Sequence, residues 1–378
     1  MITGPVDVLK DSLVAEKISR IIRSGLAERC GLLVVQHPKD AGNNPVAKSN
    51  PLITDSVDDI HREIKDDIGI VVISGAGHYP DITPLIDSGL DSGRWLIGSG
   101  TNLDSEGHPY NSTPSLLARA HEIKQAKGVC SSNGCRNMTA NRSIEIDYKY
   151  RAMCSTHFYQ KGLNSNCKAG MLTVHVGGMF SGKSEGSQRK IKILREAGYD
   201  PMVFKLRKDQ RCGLEDEIHS HDDNKYSARN VDQITDIDKM LQASTKDIIF
   251  DEGQFPKGIY GYVYGLLARG YNVDVTGLPL AFNRKDFGEM PQLMCLADVI
   301  ELNHAHCVSC GHDAYYSQRM KQIDGQPRPA HDNDVEFLPA GDKNSDKKAI
   351  EYYEARCLDC LEIPGRPIGE YPLERFVR

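Results

Sequence analysis

Displaced by 177 positions, residues 267–311 of this 378-residue chain fall on 90–134 without a gap, and eleven of the forty-five positions are identical. Composition alone would give about three. The shared residues include Gly270/Gly93, Gly277/Gly100, Leu280/Leu103, Pro291/Pro114, Ala297/Ala120 and Cys307/Cys130. These are turn formers and apolar framework positions, the residues that shape a backbone. The likeness runs outward with small shifts. Gly253-Gln254-Phe255-Pro256 falls on Gly77-His78-Tyr79-Pro80, and Tyr353-Glu354-Ala355-Arg356-Cys357 falls on Tyr150-Arg151-Ala152-Met153-Cys154. The chain therefore reads as two unequal copies of one design, roughly 1–160 and 170–362, joined by a linker at 161–169 and followed by a tail at 363–378. A prior of ~150 residues per domain agrees.

The second copy carries the chemistry. Met171–Val176 has the β-branched, apolar character of a buried strand, and Ser187–Ala197 has helical character. Between them stands Gly177-Gly178-Met179-Phe180-Ser181-Gly182-Lys183-Ser184, the pattern G-x-x-x-x-G-K-S. Strand, glycine-rich loop and helix in this order cradle phosphates. Backbone N–H groups turn inward, the helix N-terminus adds its positive end, the lysine reaches the β/γ phosphates and the serine hydroxyl ligates Mg²⁺. Downstream, Asp247-Ile248-Ile249-Phe250 is a short buried-strand pattern ending in Asp251-Glu252. Behind a phosphate loop, one carboxylate there can organise Mg²⁺ and the other can serve as general base toward a substrate hydroxyl.

Four of the eleven cysteines form two chelating pairs, Cys307-x-x-Cys310 and Cys357-x-x-Cys360, with forty-six residues between the pairs. Four thiolates close a tetrahedral Zn²⁺ and leave no place for water, so the expected site is structural. The intervening span, pinned at its base, is a candidate flap over a ligand. C-x-x-C clustering indicates metal in a reducing compartment. There is no basic flank with an apolar signal core at the N-terminus, and no apolar run near the ~20 residues of a membrane helix. A cytoplasmic protein without a membrane partner is expected. Net charge is −6, and 307–360 holds seven lysines and arginines against ten aspartates and glutamates. That sign argues against a zinc-ribbon nucleic-acid-binding ATPase, the reading from another functional class.

In this order the motifs resemble the type II thymidine kinases, the zinc-containing family related to the cytosolic vertebrate enzyme. The resemblance covers 170–362 through Gly178–Ser184, Phe250–Phe255, Phe282-Asn-Arg-Lys-Asp-Phe287-Gly288, Ala314-Tyr-Tyr-Ser-Gln-Arg319 and Tyr353–Cys357. It implies an α/β fold, a P-loop kinase-like parallel sheet with flanking helices and a zinc-ribbon-like lasso, present twice. It also implies transfer of the ATP γ-phosphate to the 5′-hydroxyl of thymidine or deoxyuridine. Carried over by motif position, Glu252 is the base. Asp251 is on the Mg²⁺ side with Ser184, and Asp209, Gln210, Arg211 and Gln254 lie with the phosphate loop. Phe282 stacks on the pyrimidine, with Phe255, Ser317, Arg319 and Tyr353 around it. Val335, Glu336, Phe337, Leu338 and Pro339 fall on the flap whose backbone reads the base edge. Ser317 stands where threonine is usual, and the flap is lengthened by about eight residues. These departures motivate a runner-up, a deoxynucleoside kinase with broader base choice.

The first copy has lost the chemical parts. Gly4, Pro5 and Lys10 of the phosphate loop remain, but Leu9 replaces a glycine and Asp11 the serine. Gly75-Ala76 aligns with Asp251-Glu252, and Ser105 with Phe282. An inactive copy is expected, kept as an intramolecular pseudo-two-fold partner of the active one. Cys130, Cys135, Cys154 and His157 are candidates for a second zinc, since C-x-x-H is a usable pair; the other reading is four merely buried side chains.

Overall fold

Ile70-Val71-Val72-Ile73-Ser74 and Asp247-Ile248-Ile249-Phe250-Asp251 are buried along their whole length. Continuous burial of β-branched and aromatic runs marks the inner strands of a parallel sheet covered on both faces. The structure is a computed structural model that describes the chain except for 5–9, 41–44, 133–134, 136, 139, 147–148, 161–167, 206–216, 220–224, 232, 324, 335–350, 367–370 and 377–378. It divides into two units, Met1–Leu163 with Pro367–Arg378, and Asn164–Arg366.

The N-terminal unit has strands β1 (Ile2–Gly4), β2 (Leu32–Gln36), β3 (Leu52–Ile53), β4 (Ile70–Ser74), β5 (Trp95–Thr101) and β6 (Lys124–Gln125). They form one parallel sheet in the order β3-β2-β4-β5-β1-β6. Helices α1 (Lys10–Arg23), α2 (Leu26–Cys30), α3 (Val57–Glu63), α4 (Thr83–Asp91) and α5 (Thr113–Ala118) flank it. Helix α1 buries Val14, Ile18 and Ile21, spaced to make one apolar stripe, against Ile2, Val34, Ile70 and Val72. An antiparallel hairpin, β7 (Arg142–Ile146) with β8 (Lys149–Met153), leads into the short helix α6 (Ser155–Tyr159).

The C-terminal unit repeats the plan. Its strands are β9 (Leu172–Val176), β10 (Met202–Lys205), the hairpin β11 (Glu217–His219) and β12 (Lys225–Ser227), then β13 (Arg229–Asn230), β14 (Asp247–Asp251), β15 (Asn272–Gly277) and β16 (Val299–Leu302). The parallel sheet runs β13-β10-β14-β15-β9-β16, the same order strand for strand. Helices α7 (Lys183–Glu196), α8 (Ile259–Ala268) and α9 (Met290–Leu296) cover it. Beyond the sheet lie the pair β17 (Ala305–His306) and β18 (Asp313–Ala314), and an antiparallel sheet of β19 (Tyr316–Ile323), β20 (Gln326–Pro329) and β21 (Glu351–Arg356). The expected architecture, a parallel α/β sheet with flanking helices and an appended cysteine-bearing hairpin, present twice, is what the chain adopts.

One alignment is corrected by strand register. Ile73 stands opposite Gly98 and Phe250 opposite Val275, so Ser74 and Gly75, rather than Gly75 and Ala76, occupy the Asp251 and Glu252 positions. The N-terminal unit has one more residue between this strand and the next helix, 75–82 against 252–258. The G-x-x-P motif is shifted by that residue. The tail also does more than follow the second copy. Tyr371 and Leu373 pack on the core of the N-terminal unit, and the Phe376 ring lies against Gly69. Among the described residues no helix is long and apolar enough to cross a membrane.

Candidate active site

The phosphate loop joins β9 to α7. Gly177 has φ +155°, and a Cβ there would stand 2.2 Å from the Asn303 carbonyl, so the turn accepts only glycine. Phe180 and Gly182 also have left-handed backbone. Lys183 is the first residue of α7, and its Nζ donates to Gly178 O at 2.5 Å and contacts Ser181 Oγ at 3.4 Å. Burial pushes its pKa down to about 8, against the pull of Glu252 and Asp251. Met179 N donates to Ser317 Oγ on β19 at 2.9 Å, which ties the loop to the lasso.

Asp251 ends β14, buried, with Oδ1 accepting from Thr276 Oγ1 at 2.8 Å and Oδ2 4.0 Å from Lys205 Nζ. Glu252 follows with φ +63°, a backbone conformation that costs a non-glycine residue of order 1 kcal/mol and clusters at functional sites. Gln254 Nε2 donates to Glu252 Oε2 at 2.5 Å, and Gln254 Oε1 accepts from Leu278 N at 3.2 Å. That second bond fixes which end of the amide faces the glutamate. Burial, and then the neighbouring Asp251, raise the Glu252 pKa.

Around this centre, Phe282 is buried, with the Arg319 guanidinium 5.3 Å from its ring centroid. Arg319 is itself fully buried and pairs with Glu351, Nε at 3.0 Å and Nη2 at 2.5 Å from Oε2. Tyr353 stands opposite Arg319 across the β19–β21 ladder, and burial raises its pKa. Phe255 and Phe287 meet edge to face at 5.7 Å. Asp209, Gln210 and Arg211, and the flap residues Val335 to Pro339, lie outside the described residues. Motif reading missed Thr276 and Lys205, whose only signal was a polar residue at the C-terminal end of a parallel strand, and Glu351.

A family model, thymidine kinase, matches the chain over two segments, 16–158 and 170–361. The chain belongs to the thymidine kinase family. Its family is one of kinases acting on small-molecule substrates, and one matched segment falls in each unit.

In the N-terminal unit the same framework positions carry other side chains. Lys10 still opens α1, but its Nζ donates to Thr101 Oγ1 at 2.8 Å. Asp11, in place of Ser184, accepts from Ser74 Oγ at 3.3 Å, and burial raises its pKa. A Cβ on Gly75 would stand 2.4 Å from Asp40 Oδ2, so this carboxylate fills the space that a side chain at the Glu252 position would need. His78 links Asp40 Oδ1 and Tyr110 OH, each at 3.0 Å. Leu9 lies outside the described residues.

Each unit also gathers a metal-ligand set. The sulfurs of Cys307, Cys310, Cys357 and Cys360 lie within 4.8 Å of one another, as do the donor atoms of Cys130, Cys135, Cys154 and His157. Tetrahedral Zn²⁺ with Zn–S near 2.3 Å needs sulfurs roughly 3.8 Å apart, so both sets fit with small adjustment. Burial disfavours a Cys307 thiolate, but the amides of Cys357, Ser309 and Cys310 outweigh it and hold the pKa at about 6. For Mg²⁺ the donor chemistry also fits, since Ser184 and Asp251 offer hard oxygen ligands.

Proposed function

We propose that the C-terminal unit transfers the γ-phosphoryl group of ATP to the 5′-hydroxyl of thymidine, and also of deoxyuridine. The observation that carries this reading is that one parallel sheet sets Lys183, opening α7 after β9, and the Asp251–Glu252 pair, at the end of β14, at the C-terminal ends of its strands. It unites a phosphate-binding cation and a candidate base in one site. Glu252 takes the proton of the 5′-hydroxyl, the freed oxygen bonds to the γ-phosphorus, the bond to the β–γ bridging oxygen breaks, and ADP departs. An alcohol is a weak nucleophile at neutral pH, and a carboxylate raised by burial is a better base than a free one. Gln254 holds that carboxylate in place, while Lys183 and the loop amides meet the phosphates. Mg²⁺, when held by Ser184 and Asp251, supplies charge neutralisation. Phe282 offers a stacking face for a pyrimidine, and Arg319 and Tyr353 line the same side. Zinc at the cysteine sets acts only on structure.

The test is steady-state phosphorylation by the full chain with ATP, Mg²⁺ and a panel of deoxynucleosides. Transfer to thymidine and deoxyuridine, with purines excluded, is the expected result. Comparable transfer to deoxycytidine or purines would favour the broader kinase, which the serine at position 317 suggests. ADP release with no phosphorylated nucleoside would sink both readings.

A further inference from the structure

Presupposing the ATP-dependent transfer proposed for the C-terminal unit, we infer that a buried polar network, His175–Asp274–Lys190, positions the phosphate loop for ATP. His175 lies near the end of β9, just before Gly177. Its Nε2 is 3.3 Å from Asp274 Oδ1 on the neighbouring strand β15. Asp274 Oδ2 accepts from Lys190 Nζ on α7. Lys190 is two helical turns beyond Lys183 and on the same face. His175 and Asp274 are 3% and 1% exposed. His175 Nδ1 also stands 2.9 Å from Glu301 Oε2 on β16, although the angle does not make a hydrogen bond. The ring sits directly beneath the first turn of α7, since a Cβ on Gly186 would lie 3.1 Å from Nδ1. One carboxylate thus grips the loop from both ends, on the strand side through His175 and on the helix side through Lys190.

The N-terminal unit is the internal control. Ile2 stands opposite Ser99 and His175 opposite Thr276; Val72 stands opposite Ile97 and Ile249 opposite Asp274. The registers therefore place Ile2 and Ile97 where the active unit has His175 and Asp274. Lys17, the counterpart of Lys190, turns toward Glu122 with its side chain 47% exposed. There the equivalent strands and helix pack with two isoleucines, so folding does not require the polar pair. Burying a carboxylate and an imidazole is costly compared with an apolar pair of similar volume. The unit that retains the polar pair is the one with the complete phosphate loop. Apolar contact is non-directional and lets a helix shift against a sheet. A carboxylate bonded on both sides does not, and the loop amides must meet the phosphates to within a fraction of an ångström. His175, Asp274 and Lys190 are positioning residues that touch no substrate.

The test replaces the pair with that of the N-terminal unit, H175I/D274I, in the full chain. Affinity for a non-hydrolysable ATP analogue is read by calorimetry, alongside the separate KM values for ATP and thymidine and the unfolding temperature. The expected result is an unchanged or higher unfolding temperature, an unchanged thymidine KM, and analogue affinity lower by about 10-fold or more. Lys190→Gln, which cuts only the helix tie, should move ATP affinity in the same direction by a smaller factor. If the double variant does not fold, this variant decides. Unchanged ATP affinity in both variants overturns the inference, as does a parallel loss of stability and of both KM values. The analogue titration needs no phosphoryl transfer, so it remains readable even if thymidine proves not to be the acceptor.

Discussion

Glu252 shows how much one residue depends on its setting. Its left-handed backbone turns it out of the strand, Gln254 holds its carboxylate, and burial with Asp251 lifts its pKa. A base must be ionised to accept the proton, and a raised pKa means that protonation begins at higher pH than for a free glutamate. The acid limb of the kcat profile should therefore lie above the ordinary carboxylate range and vanish in Glu252→Gln, with kcat lower by ~10²–10⁴ and ATP affinity retained. A full rate in that variant would remove Glu252 from the role. The converse prediction concerns the N-terminal unit. Gly75→Glu, alone or with Ser74→Asp, should yield no second active centre, because Asp40 occupies that space and Asp11 replaces the hydroxyl. Phosphorylation that persists in Glu252→Gln once Gly75→Glu is added, above the level of Glu252→Gln alone, would contradict this. The Asp-Glu pair was legible because a buried strand behind a phosphate loop ends in it. Asp40 was not, because it arrives from a separate loop through packing that no local pattern records. A lone histidine within an apolar strand such as β9 reads as an ordinary core residue until its neighbours on other strands are known.

At the scale of elements, glycine and proline punctuation shared between the copies was enough to place two parallel sheets. The one-residue slip after β4 was hidden because the motif itself moved with it, and only strand register separates the two alignments. The cysteine hairpins were legible to different degrees. C-x-x-C spacing makes the second site plain, whereas Cys130 and Cys135 are more widely spaced and their set is completed by a histidine from α6. His157 Nδ1 lies 3.4 Å from Cys130 Sγ and 3.2 Å from Cys154 Sγ, close enough to converge on one ion. Metal analysis of the full chain should therefore find about two zinc ions. Cys357→Ser should lose one and Cys154→Ser the other, each lowering the unfolding temperature of its own unit, because metal bound only by the folded hairpin is part of its folding free energy. A stoichiometry near one that is unaffected by Cys154→Ser would leave the first hairpin to hydrogen bonding alone.

For the whole molecule, the tail matters more than the linker. Its composition, short and interrupted by Pro364, Pro367 and Pro372, gave no sign of an anchor. Yet Phe376 N donates to Ser92 O at 2.7 Å, Arg94 Nη1 donates to Glu374 O at 2.7 Å, and the same guanidinium lies 5.9 Å from the Phe376 ring centroid. Gly69 has no side chain where that ring lies; a Cβ would stand 2.4 Å from it. The polypeptide thus begins in the N-terminal unit, builds the C-terminal unit, and returns to complete the first. Cutting the chain between the units need not separate them, because the second fragment ends in a segment that belongs to the first fragment's fold. A protease site inserted within 161–167 should, after cleavage, give two fragments that co-elute on gel filtration. Phe376→Ala should lower the unfolding temperature of the N-terminal unit, by about 1–3 kcal/mol of stability if most of the ring contact is lost. Removing 367–378 from the cleavable chain then asks whether anything besides the tail holds the halves. Any pairing of the two copies by packing requires the cleaved, tailless halves to stay together at micromolar concentration. Linkage provides an effective concentration in the millimolar range, so a weak pairing hidden in the intact chain would be lost on cleavage and dilution. Co-elution after both cuts would support partnership by packing. Clean separation with full activity in the larger fragment would reduce the first copy to a structure that the tail alone retains.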